Sequence, residues 1–314
     1  MSRSKAFFLN GGAGRMLCSI PALEKYAEES GDEDFIIVAE GGTDMFKGHP
    51  TLDDKAYDNW TKNLFNNMLK NRDCIWPEPY QQYDYYNQNC NLSQAFDLVI
   101  NNKGIRDLPK PKLYLSKDEL LIGKKIVTEV KEKTKKDKIV VIQPFGRGIE
   151  LLDSTLIDKT GRSIEFNDLK EIIKALQKDN YGIIIMSEIH MDLKGEKLKD
   201  EVAMPEGLNL RQWASVIKYA DKFIGCDSVG QHLSYTVETP TVIITGATYP
   251  INVSYPNCEY FDVLDLGQQD RKYSPIRICM DESIDRHNER LMAMDKDIRE
   301  YVIDVILGKI QHEE

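Results

Sequence analysis

Short, mostly continuous apolar runs separated by amphipathic stretches constrain this chain more than any other feature. They are AFFLN (6–10), FIIVA (35–39), FDLVI (96–100), IVVIQ (139–143), GIIIMS (182–187), FIG (223–225) and TVIIT (241–245). A strand that is apolar on successive residues is covered on both faces, as inside a parallel sheet. Helical periods lie between the runs. Leu169, Ile172, Ile173 and Leu176 follow the i, i+3, i+4, i+7 spacing of one buried face, with Ser163 as the expected N-cap. Ile298, Tyr301, Val302, Val305 and Ile306 repeat that spacing near the end, and Gly308 supplies a stop. The alternation predicts an α/β protein built on doubly wound parallel sheets.

At 314 residues the chain exceeds one ordinary core, and the strand pattern restarts at KKDKIVVIQPFG. The boundary is therefore expected near residue 136, with one half at 1–136, a second at 137–290, and a terminal segment at 291–314. Doubly wound sheets bind ligands outside the carboxyl ends of their strands, so the expected site is the cleft between two Rossmann-like halves.

A composition of 41% hydrophobic and 29% charged residues is that of a globular chain. No apolar run approaches the roughly 20 residues that cross a bilayer. The run before the first glycines is too short for a secretory signal, so the cytoplasm is the expected location. The six cysteines (Cys18, Cys74, Cys90, Cys226, Cys258, Cys279) are scattered without a CxxC pair, which disfavours a zinc knuckle or a disulfide framework. A formal net charge of −10 disfavours coating of nucleic acid by bulk charge. Seven lysines between Lys124 and Lys138 read as a solvated helix face and linker.

Four stretches carry residue types suited to chemistry. In NGGAGRMLCSIPALEKY (10–26), glycines join a strand to a helix, and Gly12 and Gly14 allow close approach of a ligand. Arg15 at that mouth suits a phosphate or a sugar acid; a plain strand-to-helix turn is the competing reading. In FIIVAEGGTDMFKGHPTLD (35–53), Glu40 and Asp44 follow a strand end and are candidate bases toward a hydroxyl, or simply exposed loop residues. In the stretch 142–166, Gln143 and Arg147 follow a strand while Lys159, Thr160 and Arg162 precede a helix, a basic arrangement that suits a diphosphate or a solvated loop. In FIGCDSVGQHLSYTVETPTVIITGATYP (223–250), Asp227 or Ser228 can cap a helix whose N-terminus attracts anions, Gly230 permits close approach, and His232 lies one turn in on the rim. A histidine packed into the core is the bland alternative.

Two further segments stand out less. DED (32–34) has the form of a metal-binding DxD but lies in an acidic turn, where it reads as solvated. WPEPYQQYDYYNQNCN (76–91) is rich in the aromatics and amides that stack on sugars or bases, or that pack irregular structure.

The order of these motifs resembles the heptosyltransferase-like glycosyltransferases of family nine. The stretch LRQWASVIKYADKFIGCDSVGQHLSYTVETPTVIITGATYP (210–250) follows that family's pattern of a helix, fiG-x-D-[ST]-x-x-x-H, a helix, a Pro-led strand and G-x-T-x-P. GGAGRMLCSIPAL resembles its G-x-x-G-D start, VAEGGTDMFKGHP its second-strand segment, and ICMDESI its late Cys-Met segment. The resemblance implies a GT-B fold, in which the N-terminal half takes the acceptor, the second half takes a nucleotide-sugar, and the last helix crosses back to the first half. Carried over residue by residue, Asp227, Ser228, Val229, Gly230 and His232 hold the donor diphosphate without a metal. Arg162 falls near the family's donor-binding lysine, although the Trp-Pro beside that lysine is missing here. Ser187 and Glu188 fall in the region that contacts the nucleoside. The family's acidic residue after the first glycine turn, its proposed general base, is replaced by Arg15, and an arginine cannot deprotonate a hydroxyl at neutral pH.

The reading that results is a metal-independent glycosyltransferase with no cofactor beyond its nucleotide-sugar co-substrate. Its expected acceptor is a glycan or lipid-linked sugar hydroxyl. The alternatives are a hydroxymethylated DNA base as acceptor, a nucleotide-sugar epimerase, and a sugar-nucleotide-binding protein without catalysis.

Overall fold

The computed structural model describes residues 3–146, 148–152, 155–158, 160–189, 202–271 and 290–311. They form two compact units, one over residues 3–116 and a second from residue 117 onward.

The first unit holds a four-stranded parallel sheet of β1 (Lys5–Leu9), β2 (Ile36–Ala39), β3 (Ala56–Asp58) and β4 (Asp73–Ile75), in the order β3-β2-β1-β4. Its helices are α1 (Ala13–Glu29), the single turn α2 (Tyr83–Tyr86) and α3 (Leu92–Asn101). The run FDLVI, expected as a strand, lies inside α3. A capping box explains the difference: Gln94 N donates to Asn91 Oδ1 at 2.9 Å and Asn91 N donates to Gln94 Oε1 at 3.1 Å. From that start, Leu92, Ala95, Phe96 and Ile100 fall on one buried face. Strands β3 and β4 are three residues each, too short to stand out as apolar runs.

The second unit opens with α4 (Lys117–Thr134) and contains β5 (Lys138–Gln143), a hairpin of β6 (Ile149–Leu152) and β7 (Thr155–Asp158), α5 (Phe166–Lys178), β8 (Tyr181–Ile185) and β9 (Val202–Ala203). It continues through α6 (Leu210–Tyr219), β10 (Lys222–Cys226), α7 (Val229–Val237), β11 (Thr241–Thr245), the short α8 (Pro250–Val253), β12 (Phe261–Asp265) and α9 (Lys296–Ile306). Six strands form one parallel sheet in the order β12-β11-β10-β5-β8-β9.

The division between the units precedes α4, whereas the apolar pattern set it near 136. Helix α4 belongs with the second unit because Val127 and Val130 are buried and Gly123 meets the Ser215 backbone with no room for a Cβ. Its lysines bear out a solvated face: Lys125 pairs with Glu129 and Lys131 with Asp221.

On α5, Leu169, Ile172, Ile173 and Leu176 are fully buried as their spacing predicts. Burying each such side chain stabilises by about 1.5–3 kcal/mol, so packing holds this helix more than propensity does. Its N-cap is Glu165, not Ser163, whose hydroxyl instead accepts from Gly146 N at 3.0 Å. Helix α9 adds Val302, Val305 and Ile306 to the second unit's core, while Ile298 and Tyr301 are largely exposed. The apolar face of α9 is buried in the core of its own unit, beside α5.

Candidate functional site

From β5, the second sheet grows through β8 to β9 on one side and through β10 and β11 to β12 on the other. The strand order therefore reverses between β5 and β10. A crevice opens outside the carboxyl ends at such a reversal, because the following helices depart to opposite faces. Gln143 ends β5, and Asp227 and Ser228 follow β10, so these residues lie at the switch point.

The side chains there are tied together. Gln143 Nε2 donates to Ser228 Oγ at 3.1 Å, and Gln143 Oε1 accepts from Gly230 N at 2.7 Å. Ser228 occupies the N-cap position of α7, yet its side chain makes no capping bond. The cap comes from Gln143 on the neighbouring strand, so one of the helix N–H groups expected to be open is already satisfied. Gly230 is glycine for packing: a Cβ would meet Gln143 Oε1 at 2.3 Å and Phe223 Cζ at 2.5 Å. The half-positive end of α7 is thus fixed against β5 and β10.

Asp227 Oδ1 accepts from Gln231 Nε2 at 2.9 Å, and Asp227 Oδ2 accepts from an Arg162 guanidinium N–H at 3.3 Å. The Asp227 carboxylate thereby fixes the direction of the Arg162 guanidinium. The loop bearing Arg162 is itself clamped by Asp158, a residue that sequence reasoning passed over. Asp158 Oδ1 accepts from Thr160 N at 2.7 Å and Thr160 Oγ1 at 2.6 Å; its Oδ2 accepts from Arg162 N at 2.8 Å and Ser163 N at 2.6 Å. Burial alone pushes the Asp158 carboxyl up, but the hydrogen bonds from Thr160 and Ser163 outweigh it and hold it below the usual carboxylate range. The signal in the sequence was the Asp-x-Thr-x-x-Ser spacing ahead of a helix, which builds an Asx-type turn.

His232 is buried rather than on the rim, 7% exposed, with Nδ1 2.7 Å from the Tyr255 hydroxyl. Burial pushes the imidazole down to about 4, against a smaller upward pull from Asp227, so the ring is neutral at pH 7. Tyr255 stacks on Tyr235 at 3.6 Å, which places His232 against an aromatic cluster. Ser187 and Glu188 follow β8, one strand from β5; Ser187 Oγ binds the Ile189 backbone and Glu188 is exposed. Val229 is the first residue of α7. Arg147 and Lys159 lie outside the described residues, as does the segment ICMDESI.

In the first unit, Gly12 is the N-cap of α1, Gly14 lies in its first turn, and Gly11 takes φ +97° to turn the chain off β1. Arg15 is not at a mouth. It is 7% exposed, its guanidinium 4.8 Å from the Tyr80 ring centroid and 5.6 Å from that of Phe96, and 3.5 Å from Glu78 Oε1. Glu40 and Asp44 are both exposed on the loop after β2. In the DED turn, Asp32 accepts from Lys5 N and the Tyr26 hydroxyl, so it clamps β1 to α1. The aromatic stretch divides: Trp76 is largely exposed and stacks on Phe8, whereas Tyr85 is buried. Among the described residues, no three His, Cys, Asp or Glu side chains cluster in a way that could hold a metal ion.

The class of protein defined by this architecture is GT-B, two α/β units built on parallel sheets, and solved structures of that fold match the chain along its length. It is similar to the crystal structure of the glycosyl transferase family 9 from Veillonella parvula DSM 2008, with 12% identity and a TM-score of 0.68 over 99% of this chain and 99% of that one. It is similar to E. coli ADP-heptose LPS heptosyltransferase II, with 11% identity and a TM-score of 0.65 over 98% and 99% of the two chains. A third match is the dodecameric iron-containing heptosyltransferase TibC in complex with ADP-D-beta-D-heptose, at 12% identity and a TM-score of 0.60 over 98% and 76%. No protein-family model matches the sequence, and no curated protein matches it. The fold is therefore the one seen in these family-nine glycosyltransferase structures, at 11–12% sequence identity.

Proposed function

We propose that this protein is a glycosyltransferase that moves a sugar from a nucleoside diphosphate sugar to an acceptor hydroxyl, with the donor held by the second unit. The observation that carries the reading is the fixed polar cluster at the β5/β10 switch point, where Arg162 is held beside the N-terminus of α7. When the bond from the anomeric carbon to the diphosphate breaks, negative charge grows on the departing oxygen. Preorganised dipoles and a guanidinium aimed at that charge stabilise it more in the transition state than in the ground state. In this reading Gln143, Ser228, Val229 and Arg162 surround the diphosphate, Asp227 and Asp158 orient Arg162, and Gly230 and His232 support the start of the helix. In this reading Ser187 and Glu188, which follow β8, contact the nucleoside, and Arg147 stays a donor-binding candidate on the sequence alone.

Positive charge from Arg162 and α7 takes the place that a metal holds in other sugar transferases, so turnover is expected to persist in EDTA. The acceptor is a sugar hydroxyl on a glycan or lipid-linked saccharide; the DNA-base, epimerase and non-catalytic alternatives gain no support from the matched structures. No helix among the described residues is long and apolar enough to cross a membrane. The thiols of Cys18, Cys74, Cys90, Cys226 and Cys258 are not joined in disulfides among the described residues.

ADP-D-β-D-heptose is the first donor to test, followed by UDP-, GDP- and CMP-sugars, scored by thermal shift. A raised midpoint with a nucleotide-sugar, lost in Arg162→Ala, is the expected result. No shift with any of them refutes the reading.

A further inference from the structure

The stretch WPEP (76–79), just past β4, plays no part in the donor site. Its backbone is stiff by composition. Pro77 and Pro79 have φ locked by their rings, and each restricts the residue before it to extended conformations. Glu78 accordingly takes φ −115° and ψ 90°. Strand β4 pairs with β1, and the order of the first sheet reverses between them, with β2 and β3 on the other side of β1. A ligand of this unit belongs outside the carboxyl ends of these strands. Phe8 reaches that edge on β1, and Trp76 follows β4.

Trp76 stacks on Phe8, with ring centroids 4.6 Å apart and planes 19° from parallel. Phe8 is seated in turn on the cluster of Ala6, Ile36 and Val38. Phe8 thus covers one face of the indole, yet Trp76 is 64% exposed, so the other face is bare. Trp60 and Phe65 are at least as exposed, but among the described residues neither rests on another ring. Two residues beyond Trp76, Glu78 Oε1 accepts from Tyr80 N at 3.3 Å and from an Arg15 guanidinium N–H at 3.5 Å. Both contacts fall on that one oxygen; Oε2 has no protein partner among the described residues, and the side chain is 30% exposed. The Cα atoms of Trp76 and Glu78 are at most about 7 Å apart, close enough for one small ring to touch both side chains.

From this geometry we infer that Trp76 is the platform of a saccharide subsite in the first unit, with Glu78 as the acceptor for the sugar's hydroxyls. A pyranose presents weakly positive C–H groups on its faces, which suit the negative face of an indole. Its hydroxyls lie around the rim, where they donate to a carboxylate oxygen in charge-assisted hydrogen bonds. A nucleobase could stack on the same plane, but its phosphates would meet an edge that carries Glu78 and the exposed carboxylates of Glu40 and Asp44, while the charge of Arg15 is buried. A neutral, polyhydroxylated ligand meets no such repulsion. The platform is already ordered by its prolines and by Phe8, so binding costs little side-chain and loop entropy. The inference deepens the glycosyltransferase reading by naming a residue for the acceptor sugar, and it rests on that reading for the choice of saccharide.

The test uses the full chain without any nucleotide-sugar. The probes are the methyl glycosides of glucose, galactose, mannose and N-acetylglucosamine, each followed by saturation-transfer NMR and titrated for Kd. At least one is expected to bind, with saturation strongest on the C–H groups of one ring face. Trp76→Ala is expected to weaken that binding by about tenfold, and Trp60→Ala to leave it unchanged. Trp76→Phe keeps a ring on Phe8 and is expected to recover part of the affinity, which separates lost stacking from a folding defect. Glu78→Gln is expected to weaken binding by about threefold or more. If none of the glycosides binds, or Trp76→Ala binds them as the wild type does, the subsite is overturned. Binding of adenosine monophosphate that Trp76→Ala abolishes overturns it in favour of base stacking. A dimer in sedimentation that Trp76→Ala dissolves overturns it in favour of a contact between copies. Each of these results leaves the donor site standing. Failure of the chain to bind ADP-D-β-D-heptose leaves the subsite standing and removes only its assignment to an acceptor.

Discussion

The two units share a topology and differ in what bridges the reversal of strand order. In the second unit a neutral amide, Gln143, crosses from β5 to the start of α7, and an arginine stands beside it. In the first, a carboxylate and a buried arginine cross between the β4 and β1 loops. The comparison teaches that one scaffold presents opposite chemistry at equivalent places. The end with the helix dipole and the arginine suits an anion that must be held as charge grows on it. The other end is closed by an ion pair of its own, Arg15 with Glu78.

The sharpest way to break this contrast is at Arg162. Arg162→Ala removes the cation at the second unit's switch point and is expected to weaken donor binding by at least about tenfold, on the scale of a charge-assisted hydrogen bond. Titration calorimetry against Arg162→Lys checks it. Lysine keeps the charge but not the guanidinium fork, so partial recovery is expected. Asp158→Asn tests whether the loop geometry matters separately from the charge. It is expected to raise donor KM several-fold, with a smaller effect on kcat.

Gly230→Ala probes the seat of α7. The added methyl has to displace Gln143 or Phe223, a cost of about 1–3 kcal/mol that thermal or urea unfolding reads out. The same variant displaces the Gln143 cap, so donor binding should weaken alongside stability. In the first unit, Asn91→Ala removes a capping box and is expected to cost about 1 kcal/mol with no effect on donor affinity. If it alters donor affinity, the separation of roles between the units is wrong.

His232 adds a pH dependence of known sign. Its pKa in the folded chain is depressed to about 4 from the ordinary 6.5. Between those values the unfolded chain holds the extra proton, so stability is full above pH 6.5 and falls as pH drops toward 4. His232→Gln should flatten that slope in unfolding curves measured between pH 4 and 7. Donor affinity near pH 7 should lack a histidine titration, because the ring is neutral throughout. An affinity that rises steeply as pH falls through 6.5 would instead make His232 a cationic ligand for phosphate.

Much of the second unit was legible in the sequence because its strands are buried on both faces and leave long apolar runs, as IVVIQ, GIIIMS and TVIIT do. The first unit was harder to read. Its strands β3 and β4 are three residues each, and FDLVI reads as a strand until Asn91 and Gln94 are seen to box a helix start. At the site, the cluster around Asp227 stood out through its glycines and polar residues. What stayed hidden was which groups pair across strands. Gln143 as the cap of α7 and Glu78 beside Arg15 are contacts between residues 87 and 63 positions apart. Local spacing reveals neither of these, whereas the Asp158 clamp on Arg162, four residues away, was readable from it. His232 was misplaced for a related reason: its distance along the helix was readable, but Tyr255, which meets its ring, comes from beyond the next strand.

The central claim is that the second unit grips a nucleoside diphosphate sugar through Arg162 at the start of α7. Calorimetric titration of ADP-D-β-D-heptose into the wild-type chain and into Arg162→Ala, side by side in EDTA, tests it most directly. The account predicts saturable one-to-one binding to the wild type, unaffected by EDTA, and an affinity at least about tenfold weaker in the variant. Binding of equal strength to both proteins, or to neither, contradicts it.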